Sequence, residues 1–346
     1  MIYFAYPGDL DTPTGGYHYD RRLIGELRRM GLSVETLALP HCSCMPDQQT
    51  LASVQQILAA IPDQAVVVID GLAFGVLDKL AMAETQRLRL VALCHHPLAL
   101  ETGLDAQSRQ ALLVSERRAL SCARATVVTS EHTRQILMDQ YDVPIDKITV
   151  ALPGTDRVTF APCEGDPIRL LTVASLIPRK AHDILIDALE PLTSLPWQAR
   201  FVGGKDFDPD WAASLQEQVN SSGLSQRIEF AGKVADTGLE YQQADVFVLP
   251  SRFEGYGMVF AEALAAGLPV IAARSGAVPD VVPETAGILV SPNDTKQLTE
   301  ALMQIISSEP LRRRLQDGAR KAAATLPDWA DTAAIVASKL DEINHL

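Results

Sequence analysis

Two glutamates eight positions apart, Glu254 and Glu262, bracket the run Gly255-Tyr256-Gly257-Met258-Val259. Carboxylates suit the recognition of a sugar or a ribose, because each can accept hydrogen bonds from two hydroxyls. The surrounding segment, Leu249 to Val270, has the pattern of a buried strand, a glycine-containing turn and a short helix stopped by Gly267 and Pro269. Gly255 and Gly257 let the backbone come close to a ligand, and a helix that starts near Met258 and Val259 offers backbone N–H groups to an anion. Part of the path between the glutamates is helical, at about 1.5 Å per residue, so the two can flank a diphosphate, one towards each end. Positive charge for such a group stands at Arg179-Lys180, behind the strand-like Ile168–Ala174. Charge-assisted hydrogen bonds to phosphate are the chemistry these two side chains supply; a solvated pair at a helix start is the alternative. Two further segments sit where ligands bind in open α/β sheets. Thr14-Gly15-Gly16-Tyr17 follows the first strand and opens a helix, either as a ligand loop or as a plain turn. Leu93-Cys94-His95-His96-Pro97 closes a buried strand, where a histidine either faces a ligand or caps the strand.

The elements that must position these residues alternate along the whole chain. Strand patterns fall near 2–6, 33–38, 65–70, 89–94, 125–129 and 147–151. Between the first two, Leu23, Ile24, Leu27 and Met30 form one apolar stripe at helical spacing. Val66-Val67-Val68-Ile69 is apolar without alternation, as in a parallel sheet covered by helices on both faces. The pattern restarts with strands near 168–174, 199–202, 227–230, 246–249, 270–272 and 288–290. A Pro/Gly/Asp-rich stretch from Pro153 to Pro167 separates the halves. These observations predict an α/β chain of two doubly wound, Rossmann-like domains with a cleft between them, 1–155 and 156–326. A final helical segment, 327–346, follows Pro327.

The segment around Glu254 and Glu262 resembles the signature of the family-4 retaining glycosyltransferases, the glycosyl transferases group 1, which have the GT-B fold. The resemblance covers most of the chain and is strongest over 170–295. It implies a donor domain at 156–326, an acceptor domain at 1–155, and a last helix crossing back onto the first domain. It also implies that Glu254 contacts the transferred sugar, that Glu262 contacts the nucleotide ribose, and that Lys180 lies on the donor diphosphate. The family's arginine position holds Ser175, its usual glycines are Ala174 and Ala181, and Asp280 replaces a usual glutamate. Arg179 is therefore expected to supply part of the missing charge. By the same resemblance Gly15 and Gly16 approach donor phosphate or acceptor, and His95, with His96 second, touches sugar or phosphate. Ser130 matches a small polar position of little functional weight. The implied activity is hexosyl transfer from a UDP- or GDP-linked sugar with retention, without a cofactor or metal. The acceptor is a glycan, a lipid or a small molecule. A nucleotide-sugar epimerase or a phosphorylase of the same fold, or an inactive nucleotide-sugar binding protein, stays open.

Composition excludes other classes. A formal net charge of −13 argues against nucleic acid as a partner. The apolar runs are strand-length, and the start of the sequence lacks a basic, then apolar, leader, so a cytoplasmic protein is expected. Arg21, Arg22, Arg28 and Arg29 gather on one helix, either as a solvated face or as a peripheral contact at the inner face of the membrane. Five cysteines fit a reducing compartment, and His41-Cys42-Ser43-Cys44 lacks a second ligand pair at metal spacing. Asp206-Phe207-Asp208 has the look of a metal-binding Asp-x-Asp but is taken as a loop. Gly255-Tyr256-Gly257 lacks the third glycine of a dinucleotide fingerprint, since Phe260 stands there.

Overall fold

The structure, a computed structural model, describes residues 1–42 and 45–345. Its chain divides into two units, Met1–Gly154 with Pro327–Leu346, and Thr155–Leu326.

The first unit is built on six strands: β1 Ile2–Pro7, β2 Val34–Leu39, β3 Val66–Asp70, β4 Arg89–Cys94, β5 Ala125–Val128 and β6 Ile148–Val150. Their order is β2-β1-β3-β4-β5-β6, with every neighbouring pair parallel. All of β3 is buried, which is why its apolar run shows no alternation. The helix Gly15–Arg29 buries Tyr17, Asp20, Leu23, Ile24 and Leu27. Met30 departs from the expected stripe and is half exposed. The helix ends there because Gly31 takes φ +88° and donates to the Arg28 carbonyl, while Leu32 N–H reaches back to Leu27. This glycine-terminated closure turns Met30 off the apolar face. The helix Trp329–Asn344 packs in the same unit, burying Trp329, Ala333, Val336 and Leu340. Thr332 donates to the Leu152 carbonyl at 2.7 Å. A Cβ on Gly154 would lie 2.4 Å from Trp329 N, so only glycine lets the two segments pass.

The second unit has β7 Ile168–Val173, β8 Trp197–Val202, β9 Ile228–Gly232, β10 Val246–Leu249, β11 Val270–Ala273 and β12 Gly287–Val290. The order is β12-β11-β10-β7-β8-β9, again parallel throughout. Strand β8 begins two residues before the sequence pattern suggests. Trp197 is in register with Ile168, and its indole N–H satisfies the Leu192 carbonyl at 2.8 Å, so the aromatic is sheet and core at once. Strand β9 runs on to Gly232 because an irregularity at Val202 carries the pairing past Phe230.

Both sheets reverse direction beside their first strand. In the first unit the chain goes from β1 out to β2, then returns to the other side of β1 as β3. In the second it goes from β7 out through β8 and β9, then returns as β10. Loops leaving the carboxyl ends of such a strand pair diverge, and the crevice they leave is where open α/β sheets bind ligands. No helix among the described residues is long and apolar enough to cross a membrane.

Candidate active site

The switch point of the second unit gathers the charged residues picked out in the sequence. After β7 the chain makes one short turn, Pro178–Lys180, that starts with proline and ends on Ala181 at φ +54°. That left-handed residue, where the resembling family has glycine, turns the backbone into the helix His182–Leu189. The turn is tied to the loop after β10: Arg252 N–H donates to the Arg179 carbonyl at 2.8 Å, and the Arg179 guanidinium donates to the Phe253 carbonyl at 3.0 Å. Arg252 itself pairs with Asp183 at 2.6 Å.

Glu254 lies between the two loops and is only 4% exposed. Lys180 Nζ stands 2.7 Å from its Oε1, and an Arg179 nitrogen stands 3.4 Å from its Oε2. Burial alone would raise the carboxyl pKa, but the two cations outweigh it and hold Glu254 below the usual carboxylate value. The two cations keep Glu254 ionised and concentrate positive charge where the two loops meet.

The Glu254 backbone is pinned from behind. Ala277 N–H donates to its carbonyl at 3.0 Å, and Ser275 donates to the Arg252 carbonyl at 2.5 Å. Gly276, at φ +58°, has no room for a side chain: a Cβ there would lie 2.0 Å from the Glu254 oxygen. Ahead of it, Gly257 at φ +87° starts the helix Met258–Ala265 without a side-chain cap, and Met258 and Val259 form its half-buried first turn. A Cβ on Gly257 would strike Phe260 at 2.5 Å. Gly255 and Tyr256 are buried, so Tyr256 contributes packing at this turn. Glu262, half buried on the same helix, accepts a 2.8 Å hydrogen bond from Tyr241, and burial raises its pKa. Asp280, exposed in the short helix Val278–Val281, has no part in this cluster.

A second cluster forms at the switch point of the first unit. His95, after β4, places Nε2 3.1 Å from Asp20 and 3.2 Å from Asp70, both carboxylates fully buried. Gly16 is part of this arrangement, because a Cβ there would touch the His95 ring at 3.2 Å, whereas Gly15 is exposed with nothing within 4 Å. Burial disfavours a charged imidazole, but hydrogen bonds and charge from Asp20 and Asp70 prevail and push His95 up to about 10. Burial and the Asp70 charge in turn raise Asp20. These are the described side chains whose donor atoms lie close enough together, within 4.8 Å, to suit a metal ion. The 3.1 Å separation from Asp20 is that of a hydrogen bond and the 3.2 Å separation from Asp70 that of an ion pair, with the protonated ring supplying the charge that buried carboxylates need.

Asp20, Asp70 and Tyr241 were not singled out in the sequence. Asp20 did leave a trace there, as a carboxylate inside the apolar spacing Tyr17, Leu23, Ile24, Leu27; Asp70 is an acid ending a buried strand at a switch point. Tyr241 left none, since its role depends on a helix packed from elsewhere in the unit. Other candidates do structural work. His96 pairs with Glu101 at 2.9 Å. Ser130 caps the helix Glu131–Tyr141 through Thr133 N–H. Asp206 pairs with Lys233 at 2.6 Å and Asp208 caps the helix Pro209–Ser221, so the Asp-x-Asp is committed to loop structure. The four arginines do not act as one open patch. Arg21 donates to the Leu10 carbonyl, Arg22 stacks over Trp329 at 5.0 Å, Arg28 donates to Val34 and Arg29 pairs with Glu26. In His41-Cys42-Ser43-Cys44, Ser43 and Cys44 lie outside the described residues.

Residues 161–322, which carry the whole Lys180–Glu254–Glu262 constellation, match the family described as glycosyl transferases group 1. The second unit is a glycosyl transferases group 1 domain. Across 252 residues, 66% of this chain, the sequence is 29% identical to D-inositol 3-phosphate glycosyltransferase of Xylanimonas cellulosilytica. That match spans 60% of the relative's own length. Sucrose-phosphate synthase of Thermosynechococcus elongatus superposes over 99% of both chains with a TM-score of 0.82 at 20% identity. Anabaena HepE in complex with UDP-glucose does so over 98% of this chain and 99% of its own, with a TM-score of 0.77 at 20% identity. The GT-B fold of the glycosyltransferases is therefore common to the whole chain, and the group 1 domain holds the more strongly charged of its two switch points.

Proposed function

We propose that this chain is a retaining glycosyltransferase that moves a hexosyl group from a UDP- or GDP-linked sugar to an acceptor oxygen. The observation that carries the proposal is Glu254, buried and ionised between Lys180 and Arg179 beside the open start of the helix Met258–Ala265. A nucleoside diphosphate leaving group gains negative charge as its bond to the sugar breaks. The Lys180 and Arg179 side chains and the helix start can stabilise it, and stabilisation aimed at developing charge is the main source of rate in such chemistry. Glu254 can accept hydrogen bonds from two sugar hydroxyls, and Glu262, oriented by Tyr241, from the ribose.

In the proposed step the bond between the anomeric carbon and the phosphate oxygen breaks, and the nucleoside diphosphate departs with the electron pair. The acceptor oxygen forms its bond on the same face, and the departing phosphate oxygen takes the acceptor proton. An inverting reaction would instead need a general base on the opposite face. His95 is a poor base for that task, because Asp20 and Asp70 keep it protonated.

The test is incubation with a panel of nucleotide sugars, chosen first by thermal shift, and a panel of acceptors. Acceptor-dependent release of the nucleoside diphosphate is expected. It separates transfer from epimerisation and from phosphorolysis, and its absence with every donor that binds would leave a nucleotide-sugar binding protein. Proton NMR of the first product reads the anomeric coupling, and a β-linked product from an α-linked donor would overturn retention.

A further inference from the structure

The His95 cluster has a feature that sugar transfer alone does not demand. A histidine meant to reach a ligand needs one restraining partner, yet here two fully buried carboxylates converge on the same ring nitrogen, Nε2. The other restraints leave the ring little freedom. Tyr19 stands edge-on to it at 5.3 Å, with its hydroxyl spent on the Ala151 carbonyl, and Thr129 holds the His95 carbonyl at 3.1 Å. Asp70 is itself anchored, its Oδ1 accepting from Leu72 N–H at 2.8 Å. Asp20 Oδ2 is buried with no hydrogen-bond partner, and Asp70 Oδ2, the oxygen that faces Nε2 at 3.2 Å, is buried with the ring as its ion-pair partner and no hydrogen bond of its own. Two buried carboxylates without enough donors are costly unless they face a positive charge, so the cluster favours a ring carrying both protons. Nδ1, by contrast, has no acceptor among the described residues and is not one of the buried unpaired atoms. Gly16 lies against the other edge of the ring, where a Cβ would stand 3.2 Å from Cδ2 and 3.5 Å from Nε2, so the close packing falls on the carboxylate side and not on Nδ1.

We propose that Asp20 and Asp70 are positioning residues that lock His95 as an imidazolium, leaving Nδ1–H as its one ring donor for an oxygen of the substrate. The recognised group is an electron-rich oxygen, either of a phosphate or of a sugar hydroxyl. The identity of that substrate rests on the transferase reading above, but the state of the ring does not. The remaining titratable neighbours do not supply a competing charge at neutral pH. Burial, then the charges of Asp70 and Asp20, push Tyr17 up to about 12. Burial also raises Tyr19 and, next to the ring in sequence, Cys94, so all three stay neutral. Among the described residues the dicarboxylate is thus the influence that can hold the proton, and removing either member should release it.

Nitrogen-15 NMR of the imidazoles of the full, ligand-free chain reads this directly, with the His95 signals assigned by their loss in His95→Gln. At pH 8 both ring nitrogens of His95 are expected to be protonated; a neutral ring at pH 8 would overturn the proposal, and this measurement needs no carboxylate variant. In Asp20→Asn the ring should titrate at least about one pH unit lower, towards the ordinary imidazole value. Asp20→Glu should restore part of the shift. Turnover by Asp20→Asn should then fall on the order of tenfold at pH 8, the loss of one charge-assisted contact, and recover at pH 6, where an unassisted imidazole is protonated. An equal loss at both pH values would show a merely structural role and overturn the positioning assignment. Adding UDP, UDP-glucose, GDP or GDP-mannose distinguishes the two oxygens. A shift of Nδ1 with the free diphosphate assigns the phosphate, and a shift only with the nucleotide sugar assigns the sugar. No shift with any nucleotide sugar that binds by thermal shift would overturn the contact.

Discussion

Gly276→Ala tests whether the backbone behind Glu254, as distinct from its carboxylate, sets the geometry of the site. The added methyl would lie 2.0 Å from the Glu254 carbonyl oxygen, 2.9 Å from its carbon and 3.0 Å from its nitrogen. Ordinary contact begins near 3.4 Å. All three atoms are backbone, so no flexible side chain can yield, and one of the two segments must move by about 1.4 Å. A misplacement on the order of 1 Å at a reacting centre costs about a hundredfold in rate. Alanine at φ +58° adds roughly 1–2 kcal/mol of left-handed strain. The expected outcome is turnover reduced by about two orders of magnitude with a lowered melting temperature, in a protein that retains its fold by circular dichroism. Gly25→Ala is the control: it lies in the helix Gly15–Arg29, and its methyl would meet nothing within 4 Å. It should stabilise the protein by roughly 0.5–1 kcal/mol and leave turnover unchanged. The assay is acceptor-dependent release of nucleoside diphosphate under saturating donor. A Gly276→Ala protein within twofold of the parent would refute the reasoning, since the loop behind Glu254 would then be soft enough to absorb the clash.

Glu254→Gln keeps the shape but removes a charge that faces Lys180 and Arg179, and should slow transfer by about 10- to 150-fold, the worth of one charged hydrogen bond of 1.5–3 kcal/mol. Transfer within twofold of the parent would remove Glu254 from the chemistry. Glu262→Ala should weaken binding of the free nucleoside diphosphate in calorimetry, and Tyr241→Phe should do so to a smaller extent by freeing the carboxylate; unchanged affinity in both would contradict the ribose assignment. His95, raised from 6.5 to about 10 by its carboxylates, contributes stability that is fully present below pH 6.5 and lost as pH rises through about 10. The melting-temperature gap between the parent and His95→Gln should therefore shrink across that window, and a constant gap would argue against a charged ring. Activity should survive excess chelator, since Lys180 and Arg179 occupy the role a cation would take; loss restored by magnesium or manganese would count against that.

The sequence by itself determined the fold class and the charged core of the candidate site. Alternating strand and helix periods, with unbroken apolar runs such as Val66–Ile69, leave few architectures besides parallel sheets covered on both faces. Lys180, Glu254 and Glu262 were legible for a related reason: each sits just beyond a strand or inside one short helix, so local order along the chain is enough to place it near a carboxyl edge. Chain order also put His95 at such an edge. What it could not supply was partnership across separate strands. Asp20 comes from a helix after β1 and Asp70 from the end of β3, and only the order β2-β1-β3-β4 brings both to the ring after β4. The same holds for Gly276, whose importance lies in the 2.0 Å between an absent methyl and the carbonyl of a residue 22 positions earlier. Met30 failed for the opposite reason, because helical spacing carries on past the point where Gly31 ends the helix. Periodicity and motif spacing report what a residue's near neighbours impose. Contacts set by sheet order and by steric exclusion between distant segments arise only once the chain has folded.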